Sequence, residues 1–241
     1  MSTLFISDLH LHESRPLITR AFFHFLHTQA SKAEALYILG DFFDAWVGDD
    51  DDSELPQTVA RELCSLKQKG IAIYFQHGNR DFLLGEAYAQ KAGMKLLPES
   101  CVIDLYGTPT LLLHGDTLCT ADKDYQQFRT MVRSSQWQQQ ILAQPLAARR
   151  TLAAQLREKS QSMNSMKAED IMDVTPAEVV SQMEQTQVTR LIHGHTHRPA
   201  HHRLTVNGKP AERIVLGDWH SHGWSIRADN KRCELLSWPI E

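Results

Sequence analysis

The chain has no C-x-x-C pair, no apolar run approaching the roughly 18 residues of a membrane helix and no basic N-terminal stretch, and each absence removes a class of protein. The four cysteines, Cys64, Cys101, Cys119 and Cys233, lie far apart. That spacing excludes a zinc knuckle or a redox dithiol and reads as reduced, cytosolic thiols. The opening run Leu4-Phe5-Ile6 is too short for a signal peptide, so neither secretion nor membrane spanning is expected. Internal repeats and low-complexity linkers are also lacking. Nor is positive charge in excess: a net −4 argues against indiscriminate nucleic-acid binding, although an average can conceal a local patch. What is present, 42% apolar and 22% charged residues over 241 positions, is an ordinary globular balance. It suits one domain spanning residues 1–241, with room for an inserted subdomain.

Short β-rich runs alternate with helical patterns in the first half, which points to an α/β architecture. Strands are expected at Thr3 to Ser7, Ala35 to Leu39, Ile71 to Gln76, Thr110 to His114 and Arg190 to His193. Amphipathic helices are expected at Arg15 to Ser31 and about Ser53 to Lys69. The acidic run Asp49 to Asp52 reads as a solvated complement to the second helix's N-terminus, because four consecutive carboxylates cannot converge on one ion. From Tyr125 to Val174 the pattern is helical with Pro145 as its interruption, an inserted helical cap. Arg203 to Val206, Arg213 to Leu216, Ser225 to Arg227 and Arg232 to Trp238 read as a closing antiparallel set.

Each of the five leading strands ends in a polar motif. In order these are Asp8-Leu9-His10, Gly40-Asp41, Gly78-Asn79-Arg80-Asp81, His114-Gly115-Asp116 and His193-Gly194-His195-Thr196-His197. One D-x-H or G-H-x-H alone is a weak signal. Five in one order, each at the strand edge where α/β sheets bind ligands, are specific. Carboxylate oxygen with imidazole nitrogen and no thiolate suits Mn²⁺, Fe²⁺ or Zn²⁺. The alternation in D-x-H and H-x-H puts both side chains on one side of an extended segment. Two ions about 3.5–4 Å apart would activate water and neutralise charge on a phosphoryl group.

This order of motifs resembles the calcineurin-like metallophosphoesterase superfamily from Asp8 to His197. The resemblance implies a β-sandwich flanked by helices. It also implies an allocation: Asp8, His10, Asp41 and His197 on one ion, and Asp41, Asn79, His114 and His195 on the other, with Asp41 bridging. Many members carry histidine where this chain has Arg80. A permanent cation cannot protonate a leaving group but can clamp phosphate, which favours a diphosphate over a simple alkyl ester.

A denser resemblance is to the branch of that superfamily that cleaves the diphosphate of UDP-2,3-diacylglucosamine in bacterial lipid A biosynthesis, releasing UMP and the acylated sugar 1-phosphate. Stretches such as Leu4 to Leu11, His77 to Gly85, His114 to Thr120, Ile171 to Val174 and Ile192 to Ala200 carry it. It implies two divalent ions, Mn²⁺ foremost, and substrate contacts at Asn79, Arg80, Asp122, Ser160, Asn164, Lys167 and His195. Asp218, before Trp219 and His220, departs from the small residue usual there.

Between Arg129 and Lys167 seven basic residues face one acidic residue, Glu158. Such a patch suits a diphosphate or an anionic membrane surface, while a solvated helix face is the simpler account of most of its arginines. Ile141, Leu142, Leu146, Leu152 and Leu156 could line an acyl groove, touch a bilayer or pack on the main domain. A peripheral monomer at the cytoplasmic face of the inner membrane is the expectation, acting on a lipid-linked nucleotide. Nucleic acid is not an expected partner, since the cap offers only Tyr125, Phe128 and Trp137 for stacking.

Overall fold

Alternation along the strands builds a layered core. The computed structural model describes residues 2–164 and 173–241, with residues 159–164 described by backbone alone. Among them, strands β1 (Thr3–Ile6), β2 (Ala35–Ile38), β3 (Ala72–Phe75), β4 (Lys95–Leu96), β10 (His222–Ala228) and β11 (Cys233–Pro239) form one sheet, in the order β11-β10-β1-β2-β3-β4. A second sheet runs β5-β6-β7-β9-β8, from β5 (Ser100–Leu105), β6 (Thr108–Leu113), β7 (Arg190–His193), β8 (Ala200–Val206) and β9 (Lys209–Val215). Successive side chains point to opposite faces. Phe5 of β1, Leu112 of β6, Ile192 of β7 and Ile226 of β10 therefore meet in one cluster between the sheets. Their neighbours Leu4 and Ile6 face outward, onto α1 (Pro16–Thr28), α2 (Glu54–Gln68) and α3 (Glu86–Ala92). Leu111, Leu113 and Leu191 face the other way, onto Val179 and Met183 of α7 (Pro176–Gln185). The result is the expected β-sandwich flanked by helices.

β1, β2 and β3 pair in parallel, as do β6, β7 and β9. All five motif-bearing strands therefore end at one rim. The late strands depart from the expected single closing set. β8 and β9 form a hairpin in the second sheet, whereas β10 and β11 return to the first, where β10 pairs antiparallel with β1.

Between β6 and α7 lie α4 (Lys123–Val132), α5 (Ser135–Leu142) and α6 (Leu146–Asn164). The chain breaks here twice, at Pro145 as expected and again at Ser134. The Ser134 hydroxyl accepts from Trp137 N at 3.3 Å, which caps the N-terminus of α5. Lys167, Ile171 and Met172 lie outside the described residues, and Ser160 and Asn164 fall in the backbone-only turn of α6.

Candidate metal centre

Five of the seven ligand candidates sit in the left-handed backbone region: Asp8 (φ 56°), His10 (47°), Asp41 (50°), His195 (68°) and His197 (55°). That region is costly for residues bearing a Cβ, and such strain concentrates where a site dictates the chain's path. Backbone bonds between the loops hold it in place: Asp8 N donates to Gly40 O at 3.0 Å and His10 N to Asp41 O at 2.9 Å. The glycines permit the approach, since a Cβ on Gly78 would collide with the amide and Oδ1 of Asp41.

The side chains converge in two groups. His197 Nε2 lies 3.3 Å from both Asp8 Oδ1 and His10 Nε2, and His10 Nε2 is 3.9 Å from Asp41 Oδ2. On the other side, Asp41 Oδ1 is 3.6 Å from His114 Nε2. Asn79 Oδ1 lies 3.0 Å from His114 Nε2 and 2.8 Å from His195 Nδ1. The ligand atoms of Asp8, His10 and His197 lie within 4.8 Å of one another, as do those of Asp8, Asp41 and His114. Asp8 thus reaches both groups, as Asp41 does.

The residues fit a pair of divalent cations. Asp8 Oδ1 is buried with no hydrogen-bond partner, although Oδ2 accepts from Ser7 Oγ (2.5 Å) and His195 N (2.9 Å). A buried carboxylate oxygen left bare beside two imidazole nitrogens is a vacant ligand position. His114 Nδ1 donates to Leu39 O at 2.8 Å, which leaves Nε2 for coordination. Charge points the same way. Burial lifts the Asp41 carboxyl to about 7, with Asp8 and Asp81 adding to the rise against His114 and Arg80. Burial would lower His197, but the Asp8, Asp218 and Asp41 carboxylates outweigh it and raise the ring to about 9. Burial and neighbouring cations hold His10 at about 3, whereas burial and His114 hold His195 at about 4. A buried carboxyl that retains its proton near neutrality, as Asp41 does, is relieved by a cation.

Arg80 N donates to Asp41 Oδ1 at 2.9 Å, and its guanidinium, without a hydrogen-bond partner among the described residues, lines a cavity of about 360 Å³. Asn79, Phe82, Phe128, Trp137, Ile141 and Leu156 also line it. Asp122 does not belong to that lining; it is the N-cap of α4, accepting from Tyr125 N at 3.1 Å.

Several side chains that shape the site were not anticipated. Buried Asp81 accepts from Phe42 N (2.7 Å) and Gly78 N (2.8 Å), tying two ligand loops together. Buried Asp116 accepts from Tyr125 Oη and Arg129 Nε, each at 2.7 Å, and so roots α4 beside His114. Both lie two residues beyond a ligand candidate, and an acid repeated in that place was the available signal.

The acidic run and the arginines correct the earlier expectations together. Asp49 accepts from Gly85 N (2.8 Å), Tyr88 N (3.0 Å) and Trp46 Nε1 (3.1 Å). Asp50 pairs with Arg149, and Asp51 and Asp52 pair with Arg150. Arg149, only 4% exposed, also donates to Val47 O at 2.5 Å. Arg157 pairs with Asp44, and Arg133 donates to Gly78 O at 2.8 Å. The run is therefore a docking strip for α6, and most of the arginines are committed to acceptors rather than solvated.

The sequence pattern of the calcineurin-like phosphoesterase family matches residues 1–199. The chain is 65% identical to the UDP-2,3-diacylglucosamine hydrolase of Cellvibrio japonicus (strain Ueda107), covering 100% of both chains. It is 55% identical to the protein of that name from Marinobacter nauticus (strain ATCC 700491 / DSM 11845 / VT8), over 100% of this chain and 99% of the relative. Identity to the Pseudomonas aeruginosa (strain UCBPP-PA14) protein of the same name is 53%, again over 100% of both. With these matches, and with five motif loops meeting at one rim, the chain belongs to the calcineurin-like phosphoesterase family.

Proposed function

We propose that this protein is a metal-dependent hydrolase that cleaves the diphosphate of UDP-2,3-diacylglucosamine to UMP and the diacylated glucosamine 1-phosphate, a step in lipid A biosynthesis. One observation carries the reading beyond the names of its relatives: a single cavity of about 360 Å³ is lined both by Asn79 and Arg80 of the ligand loops and by the apolar Phe82, Phe128, Trp137 and Leu156. A molecule with a phosphate head and hydrocarbon tails matches such a lining.

Asp8, His10, Asp41 and His197 hold one ion and Asp41, Asn79, His114 and His195 the other. Mn²⁺, the ion the family resemblance implies, is among those this oxygen and nitrogen donor set accommodates. When bound, the pair supplies water of lowered pKa and neutralises phosphoryl charge. Arg80 donates N–H bonds to the diphosphate and moves no proton, which suits a phosphate leaving group that needs none. Helices α4 to α6 belong to a cap over residues 125–174, where Ser160, Asn164 and Lys167, with Asp122 and His195, hold the polar head of the substrate. Tyr125, Phe128 and Trp137 wall the acyl chains, each buried methylene contributing about 0.8 kcal/mol.

The protein works as a monomer, peripherally, at the cytoplasmic face of the inner membrane. Met131 and Leu142, 50% and 42% exposed on α4 and α5, meet the bilayer. No helix among the described residues is long and apolar enough to cross it.

The test is UMP release by Mn²⁺-reconstituted protein from UDP-2,3-diacylglucosamine and from UDP-sugars without acyl chains. Release from the acylated substrate alone is expected. Equal rates on both would overturn the substrate assignment.

A further inference from the structure

Asp218 lies in the loop after β9, and both of its flanks are pinned. Leu216 N donates to His193 O at 2.8 Å, continuing the pairing with β7. Trp219 N donates to Asp8 O at 3.0 Å, and Arg15 reaches across with Nη2 to Trp219 O at 2.6 Å and Nη1 to His10 O at 3.3 Å. The Trp219 indole is fully buried against Phe22, Phe25 and Trp238. The Asp218 carboxylate is thereby delivered to a fixed place beside the strand ends that carry Asp8, His10, His195 and His197.

There its Oδ2 stands 3.9 Å from Nδ1 of His197, while Nε2 of the same ring lies 3.3 Å from Asp8 Oδ1 and from His10 Nε2. One nitrogen faces the ligand cluster and the other a carboxylate. Metal-binding histidines are commonly oriented this way, the outer N–H donating to a carboxylate that fixes tautomer and ring plane. His197 needs such a partner more than its neighbours do. Its side chain is 40% exposed, against 12% for His10 and 2% for His114, which already has the Leu39 carbonyl. At 3.9 Å the contact is within ion-pair reach but longer than a hydrogen bond.

We propose that Asp218 is the positioning residue for His197, accepting from Nδ1–H so that Nε2 is left as a ligand, and that it sets the affinity of the cation site shared with Asp8 and His10. The inference rests on reading those three residues as one cation site. It is tested by Mn²⁺ binding to the full chain, followed by equilibrium dialysis and by the spin-resonance signal of free Mn²⁺. Wild type is compared with Asp218→Asn, Asp218→Glu, His197→Ala and the double variant His197→Ala/Asp218→Asn. The expected result is a loss of about 10–100-fold in the affinity of one of two ions in Asp218→Asn, with the other ion unaffected. Asp218→Glu restores most of the loss, and Asp218→Asn has no further effect once His197 is alanine. Unchanged binding in Asp218→Asn, or the same loss with and without His197, overturns the proposal. Unchanged binding in His197→Ala overturns the cation-site reading itself, and the proposal with it. Melting in excess chelator separates a folding defect from lost affinity: a variant that keeps its wild-type melting point while losing one ion supports the positioning role, and a parallel fall in both opposes it.

Discussion

The ligand loops and the α4–α6 segment keep their shapes by opposite means. In the loops the backbone does the work: carbonyl and amide groups of one loop bond the next, and five left-handed residues turn their side chains to a common centre. Around α6, long side chains do it, with Arg149, Arg150 and Arg157 reaching acids that precede them by about a hundred positions. Buried backbone geometry is indifferent to salt, whereas a surface ion pair such as Arg150 with Asp51 and Asp52 weakens as ionic strength rises. The rigid part of the molecule is therefore the chemistry, and the adjustable part is what closes over it.

The sharpest test of that division is Asp41→Ala. It should lower kcat/KM by at least about 10³-fold while circular dichroism stays native, because the carboxylate faces the ligand cluster rather than the core. Turnover within tenfold of wild type would break the comparison.

Metal-linked stability comes next. In the ion-free protein His197 is raised to about 9 and Asp41 to about 7, each above its ordinary value. Each group therefore contributes stability at low pH that is lost as pH rises through the raised value. Bound ions displace those protons, so affinity for Mn²⁺ rises over the same window. The gap in unfolding free energy between Mn²⁺-loaded and chelated protein should widen from pH 6 to 9, by about 1.4 kcal/mol per pH unit for each proton displaced. A gap that narrows would contradict the assignment.

Asp81→Asn keeps the shape but points an NH₂ group at one of two amides. It should destabilise the protein by about 1–3 kcal/mol in urea titrations, with an unchanged slope. Charge reversal at Asp50, as Asp50→Arg, should act on closure instead. It is expected to raise KM for the diacylated substrate about tenfold, equivalent to about 1.4 kcal/mol, and to alter turnover of a small phosphodiester less than about twofold. Equal effects on the two substrates would show that α6 and the loops are one unit. The smallest effect belongs to Arg150→Ala, whose exposed pairs with Asp51 and Asp52 should be lost without a measurable change in melting temperature.

The candidate site was legible in the sequence because each ligand motif adjoins the strand that delivers it, so local pattern and local chemistry coincide. The five motif-bearing strands were found within a residue or two of their ends for that reason. β5 was not, since its alternating, half-exposed residues contain no chemistry to draw attention. The late strands were legible as strands but not in their division between sheets, which depends on where Ile226 and Ala228 find the inter-sheet core rather than on chain order. The break at Ser134 was hidden because a serine within a helical pattern becomes a cap only if the chain turns there. The acidic run was misread for a plainer reason: Asp50 and Arg149 are 99 residues apart, and no window along the chain contains both.

Sheet membership divides the seven ligand candidates. Asp8, His10, Asp41 and Asn79 follow strands of one sheet, while His114, His195 and His197 follow strands of the other. On the proposed assignment, ions held between them would cross-link the two sheets in a protein whose cysteines are all free. The order of synthesis sharpens the point. The first four side chains have emerged by residue 79, yet β1 gains its second neighbour only when β10, ending at Ala228, is made. Half the centre thus waits on a strand that is unpaired along one edge, and the cross-link closes among the last steps of folding. On the proposed assignment the ions would have to leave before the two sheets part, a link that no covalent bond in the chain supplies.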